Sequence, residues 1–158
     1  MRVRASVVTS VGTVAFRSAL EHRRALILEA EDVDWDQIHP DWRGRYESYY
    51  RRSFRSGAAA LIVCDLPSKY VGSCFASVQD DFRGFVLGEG TGYVNGVYVL
   101  PDFRRNQIGS ALIATAIKWL NARGCRLVRL YAANGSTAFY RRLGFEAIPV
   151  LEYGYHQQ

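Results

Sequence analysis

Residues 93–131 constrain the fold more than any other part of the sequence. They begin with a run rich in β-branched and aromatic residues, YVNGVYVL over 93–100, which is typical of a strand. Apolar residues then recur at helical spacing over 106–123, and Gly124 ends this helix. Residues 126–131 alternate basic and apolar side chains and predict a second strand. A strand, a helix and a strand in this order predict a βαβ unit with two parallel strands and a right-handed crossover.

Elements on the amino-terminal side of this unit extend the predicted sheet. Strands joined by short turns are expected to be antiparallel, so the sheet is mixed, mostly antiparallel, and flanked by helices in an α/β fold. A length of 158 residues with 49% hydrophobic residues suits a single domain over 1–158. The further predicted strands are 3–8, 58–64, 70–78 and 145–151, and the further predicted helices are 13–29, 42–55 and 135–143.

The segment from 80 to 92 is rich in turn-forming residues. Residues 85–87 are predicted as a short strand or loop. The glycine-rich run at 88–92 superficially resembles a dinucleotide-binding loop, but it precedes a strand instead of opening a helix, which predicts a hairpin turn. Earlier in the chain, Asp41 is expected to cap the helix that follows it.

The charge balance is basic, with a net charge of +5 and only two lysines, Lys69 and Lys118, among 20 basic residues. Arginine suits bidentate contacts with phosphate and carboxylate, although a genome rich in GC would give the same excess. Nucleic acid, an acidic ligand and a polyphosphate cofactor are all compatible with this charge. No helix-turn-helix, zinc or RNP-type pattern is present, so no nucleic-acid partner is expected.

Cysteine and histidine spacing gives no sign of a metal site. The three cysteines are odd in number and form no CxxC pair, and Cys64 and Cys74 lie in apolar runs that predict reduced core thiols. His22, His39 and His156 are widely scattered, so no metal is expected. No apolar run approaches the roughly 20 residues of a membrane span, and no signal-peptide pattern is evident. A cytoplasmic protein without a membrane partner is therefore expected.

The turn that leads into the long helix is a candidate phosphate site. A helix N-terminus offers free backbone N–H groups and the positive end of the helix dipole. Arg104 and Arg105 add positive charge there, and Gly109 has no Cβ to keep a phosphate away from the backbone. A plain helix start with both arginines solvated is the alternative. No P-loop pattern is present.

Three segments carry a family resemblance through their order and spacing. They are VYVLP at 97–101, RRNQIG at 104–109 and AFYRRLGF at 138–145. The second is similar to an R/Q-x-x-G-x-G/A loop and the third to an FYxxxGF ending. Together they resemble the GCN5-related N-acetyltransferase (GNAT) superfamily over about residues 58–153. The resemblance implies acetyl-CoA as acyl donor, an amine acceptor, and a parallel strand pair that splays apart near Val97 and Tyr131.

The resemblance also implies where the cofactor lies. The pantetheine arm is expected to fill the splayed gap and to pair, like an added strand, with the backbone near Val97 and Val99. A backbone N–H near Val99 is expected to face the thioester oxygen. Gln107 stands where the family loop has its first glycine. We expect it in the first helical turn, since a left-handed conformation there costs roughly 1–2 kcal/mol. The implied cofactor-binding residues are Val97, Val99, Arg104, Arg105, Asn106, Gln107, Ile108, Gly109, Ser110 and Asn134, the last matching its family position only to within one residue.

The implied chemistry is direct attack of an amine on the thioester. Tyr140 matches the family's tyrosine and is the candidate general acid for the departing thiolate, the alternative being a ring packed against the sheet. Glu89 is a candidate general base, as are Asp80 and Asp81, although each also suits a solvated turn. A non-catalytic acyl-CoA-binding module is the alternative function, and a homodimer is a possible assembly.

The acceptor pocket is expected from the amino-terminal helices and residues 80–92, with Tyr93 and Tyr98 as possible lining residues. Aromatic residues near the amino terminus either wall this pocket or pack in the core. These residues are Trp35, Trp42, Tyr46, Tyr49 and Tyr50. The last four of the five recur at i, i+4, i+7 and i+8 along one helix, and this spacing favours core packing.

Overall fold

A five-stranded sheet forms the centre of the protein in a computed structural model that describes residues 3–154. The strands lie side by side in chain order, and every neighbouring pair is antiparallel except the last, which is parallel. This arrangement confirms the predicted mixed sheet. His156 and the ends of the predicted 1–158 domain lie outside the described residues. The strands are β1 (Ala5–Val8), β2 (Ala59–Leu66), β3 (Lys69–Gln79), β4 (Gly90–Val99) and β5 (Cys125–Arg129).

Helices cover both faces of the sheet. The first begins where the Thr13 hydroxyl accepts a hydrogen bond from the Phe16 N–H at 3.1 Å. Asp41 occupies the predicted N-cap position of the third helix, but its carboxylate makes no capping hydrogen bond and instead accepts one from Arg45, one turn ahead, at 2.6 Å. The helices are α1 (Val14–Glu31), α2 (Trp35–Ile38), α3 (Trp42–Arg55), α4 (Phe82–Leu87), α5 (Ile108–Asn121) and α6 (Thr137–Arg142).

Two apolar cores lie on opposite faces of the sheet. On one face α5 and α6 pack over the strands, with fully buried side chains such as Leu112 and Leu120 of α5 against Ile62 of β2. On the other face α1 and α3 pack over the same strands through Phe16 and Tyr50. The sheet therefore separates the α5 side of the molecule from the α1 side.

Aromatic residues of α3 form most of the second core. The Tyr50 ring stacks on the Phe75 ring at 4.1 Å between centroids, and Trp42 is 3% exposed. This packing confirms the interpretation of Trp42 and Tyr50 as core residues. Tyr49, which lies on the outer side of the helix, is 51% exposed.

The segment before β4 folds differently from the prediction. Residues 82–87 form α4 instead of a strand or loop, because the Asp81 carboxylate caps the Gly84 N–H at 2.9 Å. Gly88 ends α4 with a left-handed φ of 66°, and β4 begins two residues later at Gly90. The predicted hairpin turn at 88–92 is therefore wrong.

The predicted last strand over residues 145–151 is also wrong. These residues form no strand in the described part of the chain, and Leu151 is 99% exposed. Pro149 has no N–H to donate to a sheet, which weakens any strand pairing across the middle of the segment.

Buried thiols complete the core. Cys64, Cys74 and Cys125 are free and at most 3% exposed, which confirms the prediction of reduced core thiols for the first two. Burial raises the pKa of the Cys64 thiol to about 11. Within residues 3–154 no helix is long and apolar enough to cross a membrane, and no three His, Cys, Asp or Glu side chains cluster as metal ligands.

Candidate active site

The parallel pair β4–β5 separates partway along its length. Pairing ends where Tyr93 lies opposite Arg129, and β5 stops there while β4 continues for six more residues to Val99. This confirms the expected splay. Because β5 does not accompany β4 beyond Tyr93, the backbone of this edge remains open to an extended ligand.

A β-bulge lies in the open part of β4. Ser73 pairs with Tyr98 while Phe75 pairs with Asn95, so β4 contains one more residue than β3 between these two pairs. Gly96 takes up the bulge with a φ of 64°, a conformation that favours glycine. A Cβ at Gly96 would lie only 3.2 Å from a terminal guanidinium nitrogen of Arg23. The bulge therefore brings the β4 backbone directly against α1.

A cavity of about 370 Å³, which we call the main cavity, lies in the gap between α1, β4 and the chain after β5. It brings together three of the predicted site residues, Val97, Asn134 and Tyr140, and Tyr93 also lines it. Tyr98 does not; its ring lies against His22 and its hydroxyl donates to Glu29 at 2.7 Å. The cavity is lined by Arg23, Leu26, Ile27, Ala30, Glu31, residues 93–97, residues 130–134 and Tyr140.

Tyr140 combines a packed ring with a place on the cavity wall. Its side chain is 8% exposed, and its ring makes edge contacts with Phe139 and Phe145 at 5.0 and 5.8 Å. Burial raises the pKa of Tyr140 to about 12, so the phenol keeps its proton at neutral pH. A neutral phenol facing the gap is able to donate a proton or a hydrogen bond.

The N-terminus of α5 opens onto a second cavity, lined by Arg105, Asn106, Gln107 and Ser110 among others. The α5 helix begins at Ile108, so Gln107 precedes its first turn. Gln107 has a left-handed φ of 62°, so its prediction as a residue of the first helical turn is wrong. Arg105 is also left-handed, with a φ of 63°. Two such residues turn the chain sharply into α5 at a cost of roughly 1–2 kcal/mol each.

Arg104 points away from the α5 N-terminus. Its Nε donates to the Val99 carbonyl at 3.0 Å, and a terminal nitrogen donates to the Glu29 carboxylate at 2.9 Å. Burial alone would raise the pKa of Glu29, but hydrogen bonds from Tyr98 and Arg104 outweigh it and hold that pKa below its ordinary value. Arg104 therefore joins α1 to the end of β4, and its role as a phosphate ligand stays a prediction.

Gly109 and Asn106 both make contacts that stabilise the fold around the start of α5. A Cβ at Gly109 would lie 3.0 Å from the Phe139 ring, so the glycine lets α5 pack against α6. The Asn106 amide donates to the carbonyls of Phe103 and Arg104, both at 3.2 Å, and braces the loop. Neither contact tests whether these residues also bind a phosphate.

The predicted bases lie away from the main cavity. Glu89 pairs with Arg83 at 3.3 Å and lies eight residues before Val97, which is roughly 25 Å along a strand. Asp81 is occupied as the cap of α4, and its hydrogen bond from Gly84 lowers its pKa. Neither Glu89 nor residues 80–88 line the main cavity, so the structure gives no support to Glu89 as the base.

The sequence predicts that the amino-terminal helices line the acceptor pocket, but it identifies none of the residues that α1 contributes. Arg23 and Glu31 are the charged side chains of the main cavity, and Glu29 holds Arg104. These residues belong to no motif, and they reach the site only because α1 packs across the sheet about 70 residues away from β4 in the chain. No local pattern marks them.

Comparison with known proteins places this geometry in a family. The model of the Acetyltransferase (GNAT) family matches residues 25–145, and the chain belongs to this family. An uncharacterized N-acetyltransferase of Methanocaldococcus jannaschii is 31% identical over 107 residues, covering 66% of this chain and 46% of that protein. A glucosamine 6-phosphate N-acetyltransferase of Trypanosoma brucei brucei is 34% identical over 95 residues, covering 59% and 63%. The chain thus spans less than two thirds of these relatives' own lengths.

Solved structures share the fold over nearly the whole chain. A GCN5-related N-acetyltransferase from Ralstonia eutropha JMP134 has a TM-score of 0.79 at 18% identity, covering 98% of this chain and 99% of that one. An acetyltransferase of Clostridium acetobutylicum solved with acetyl-CoA has a TM-score of 0.77 at 12% identity, covering 97% and 96%. At these identities the likeness extends to the fold alone.

Proposed function

We propose that this chain is an acetyl-CoA-dependent N-acetyltransferase that acetylates a primary amine of a small molecule or a protein. The observation that carries the proposal is the open edge of β4 beyond Tyr93, which lies between the α5 N-terminus and the Tyr140 side chain. Family membership supports acetyl transfer, and the named trypanosomal relative acts on an amino sugar phosphate.

The α5 N-terminus is the proposed seat of the acetyl-CoA pyrophosphate. Among residues 3–154 no side chain caps this helix, so the N–H groups of Ile108, Gly109 and Ser110 are able to meet an anion. Arg105 lies beside them and makes no ion pair in the described structure, whereas Arg104 pairs with Glu29. Arg105 is therefore the arginine that we assign to the pyrophosphate.

The pantetheine arm is proposed to run along β4 as an added strand. The backbone of Val97 and Val99 would pair with its amides, and the Asn134 side chain lies across the gap on the opposite wall. This places the thioester near the Gly96 bulge, within the cavity that Tyr140 lines.

The acetyl group moves in one addition and one elimination. The neutral amine nitrogen attacks the thioester carbonyl carbon, the N–C bond forms, and a backbone N–H of β4 stabilises the oxyanion. The C–S bond then breaks and the thiolate takes a proton, which we assign to the Tyr140 hydroxyl. Burial raises the pKa of Tyr140 to about 12, so the hydroxyl carries its proton at neutral pH, and after donating it the phenolate regains a proton from water.

The amine must lose a proton before or during attack. A lysine-like amine is neutral in roughly one molecule in 10³ to 10⁴ at pH 7. Among the described residues that line the main cavity, Glu31 supplies the carboxylate, and it is the last residue of α1. Proton removal through water to Glu31 is the proposed route, in place of Glu89.

The test is acetyl-CoA binding followed by turnover. We expect acetyl-CoA to raise the melting temperature and at least one amine of a broad panel to release free CoA thiol. A rise in melting temperature with no thiol release from any amine would instead identify a non-catalytic acyl-CoA-binding module. No rise at all would contradict the placement of the cofactor.

A further inference from the structure

Arg23 is a cation without a counter-charge on the wall of the main cavity. Its Nε is buried and has no hydrogen-bond partner in the described part of the chain, and it forms no ion pair there. The guanidinium lies 5.6 Å from the centroid of the Trp35 ring and against the Gly96 bulge. A buried polar group without a partner is unfavourable, and its presence on a cavity wall points to a ligand that would satisfy it.

Four carboxylates of the same region are already engaged by other arginines. Arg24, the next residue, pairs with Asp34 at 2.9 Å and with Asp36 at 3.2 Å. Glu21 pairs with Arg43, and Glu29 pairs with Arg104. Arg23 is thus the arginine of α1 that lines the cavity and forms no ion pair with a carboxylate in the described residues.

Two phenols lie near Arg23 and cannot neutralise it. Tyr93 lines the same cavity, and the Tyr46 ring lies 6.3 Å from the Trp35 ring that the guanidinium contacts. Burial raises the pKa of both phenols. Both phenols are neutral at pH 7. Glu31 lies two turns further along α1, about 12 Å along the helix axis, and makes no ion pair with Arg23.

We propose that Arg23 binds an anionic oxygen group, a carboxylate or a phosphate, carried by the acceptor amine. The proposal rests on the proposed acetyltransferase function and adds to it the class of acceptor. The guanidinium lies at the level of the bulge, so the anionic group would bind beside the thioester and bring an amine of the same molecule within reach of it. A polycationic acceptor would meet like charge at this point and is disfavoured.

The test compares primary amines in matched pairs. One pair is β-alanine and β-alaninamide, and the others are phosphoethanolamine with ethanolamine and glucosamine 6-phosphate with glucosamine. We expect the wild type to show a KM about tenfold or more lower for the anionic member of at least one pair, as one charge-assisted hydrogen bond provides. The carboxylate and phosphate pairs identify which anion is bound.

Variants of Arg23 separate the charge from the fold. Arg23→Met should raise the KM of the anionic member to that of the neutral member and so abolish the preference, and Arg23→Lys should keep part of it. Arg17→Met removes an exposed charge on the same helix and should keep all of it. A preference that survives Arg23→Met, or a wild-type preference for the neutral members, would overturn the proposal.

Binding measurements keep the two proposals apart. If no amine in the panel releases CoA, titration of the same probes into the CoA-saturated protein still decides the role of Arg23. Tighter binding of an anionic member to the wild type than to Arg23→Met upholds the anion site even though the acetyltransferase proposal fails. Equal binding to both proteins rejects the anion site.

Discussion

The two walls of the splayed gap are built in opposite ways. The wall that we propose for the cofactor, the cofactor wall, comes from one continuous stretch, in which β4 leads through a tight turn into α5 and later α6 packs back on α5. The acceptor wall is assembled from α1 and the β4 bulge, which lie about 70 residues apart in the chain. A continuous wall leaves a sequence motif, whereas an assembled wall leaves none, and this explains why the cofactor is easier to infer than the acceptor.

Two arginines show the same contrast in their contacts. Arg104 belongs to the motif and is conspicuous in sequence, yet its guanidinium is held by Glu29 and the Val99 carbonyl. Arg23 belongs to no motif, yet it faces the cavity without a counter-charge. The number of partners that an arginine already has, and not its place in a motif, decides whether it is available to a ligand.

The sharpest test of the cofactor wall is Tyr140→Phe. Loss of a general acid typically lowers a rate by about 10²–10⁴-fold, so we expect kcat to fall by at least about 100-fold. The ring keeps its packing against Phe139 and Phe145, so the acetyl-CoA Kd should change little. Steady-state kinetics and calorimetric titration check the two quantities, and equal losses in both would assign Tyr140 to packing.

Gly109 distinguishes packing from phosphate approach on the same wall. Gly109→Ala places a Cβ 3.0 Å from the Phe139 ring, and such overpacking typically costs about 1–3 kcal/mol. Phe139→Leu should relieve the clash, so the double variant should be more stable than the sum of the single losses implies. Urea denaturation measures the coupling. Absence of coupling, together with weakened acetyl-CoA binding, would show that the glycine serves the phosphate instead.

Sequence patterns predict the fold wherever one face of an element is buried. The bounds predicted for the helix over 42–55 match those of α3, and the parallel β4–β5 pair follows from the order of a strand, a helix and a strand. Short elements are set by single contacts that a pattern does not show. The Asp81 cap creates α4, the Arg45 side chain removes Asp41 from its cap, and nothing local to Gln107 announces its left-handed backbone.

Arg23, Glu29 and Glu31 could not be assigned from sequence for a different reason. Charged residues on a surface helix are normally solvated, and only the packing of α1 across the sheet brings these three to the gap. Their identification therefore depends on tertiary structure. A homodimer and a cytoplasmic location remain predictions.

The docking of α1 against the sheet should depend on pH through His22. Burial lowers the pKa of this histidine, more than the Tyr70 hydrogen bond and the Glu21 charge raise it, and its Nδ1 lies 2.8 Å from the Ser73 hydroxyl. Below the ordinary value of 6.5 the unfolded chain takes up a proton that the folded chain refuses. The free energy of unfolding therefore has no loss from His22 above about pH 6.5. It falls as the pH drops below this value, by at most about 1.4 kcal/mol per pH unit.

Urea denaturation at pH 7.5 and pH 5.5 measures this loss. In His22→Gln the difference in stability between the two pH values should become smaller. In His39→Gln, at an exposed position on the same side of the sheet, it should match that of the wild type. If the wild type and His22→Gln lose the same stability between the two pH values, His22 does not couple the acceptor wall to pH.

The smallest expected effect concerns the departure of the cofactor wall from the family loop. Gln107→Gly should relieve a left-handed backbone that costs roughly 1–2 kcal/mol, while glycine adds roughly 0.5–1 kcal/mol of unfolded-state entropy, so a net gain of about 1 kcal/mol or less is expected. Gln107→Ala keeps the strain and should give no gain. Because the α5 N–H groups and Arg105 are unchanged by this substitution, the acetyl-CoA Kd should stay within about threefold. A less stable Gln107→Gly would mean that Gln107 stabilises the loop by more than its backbone strain costs.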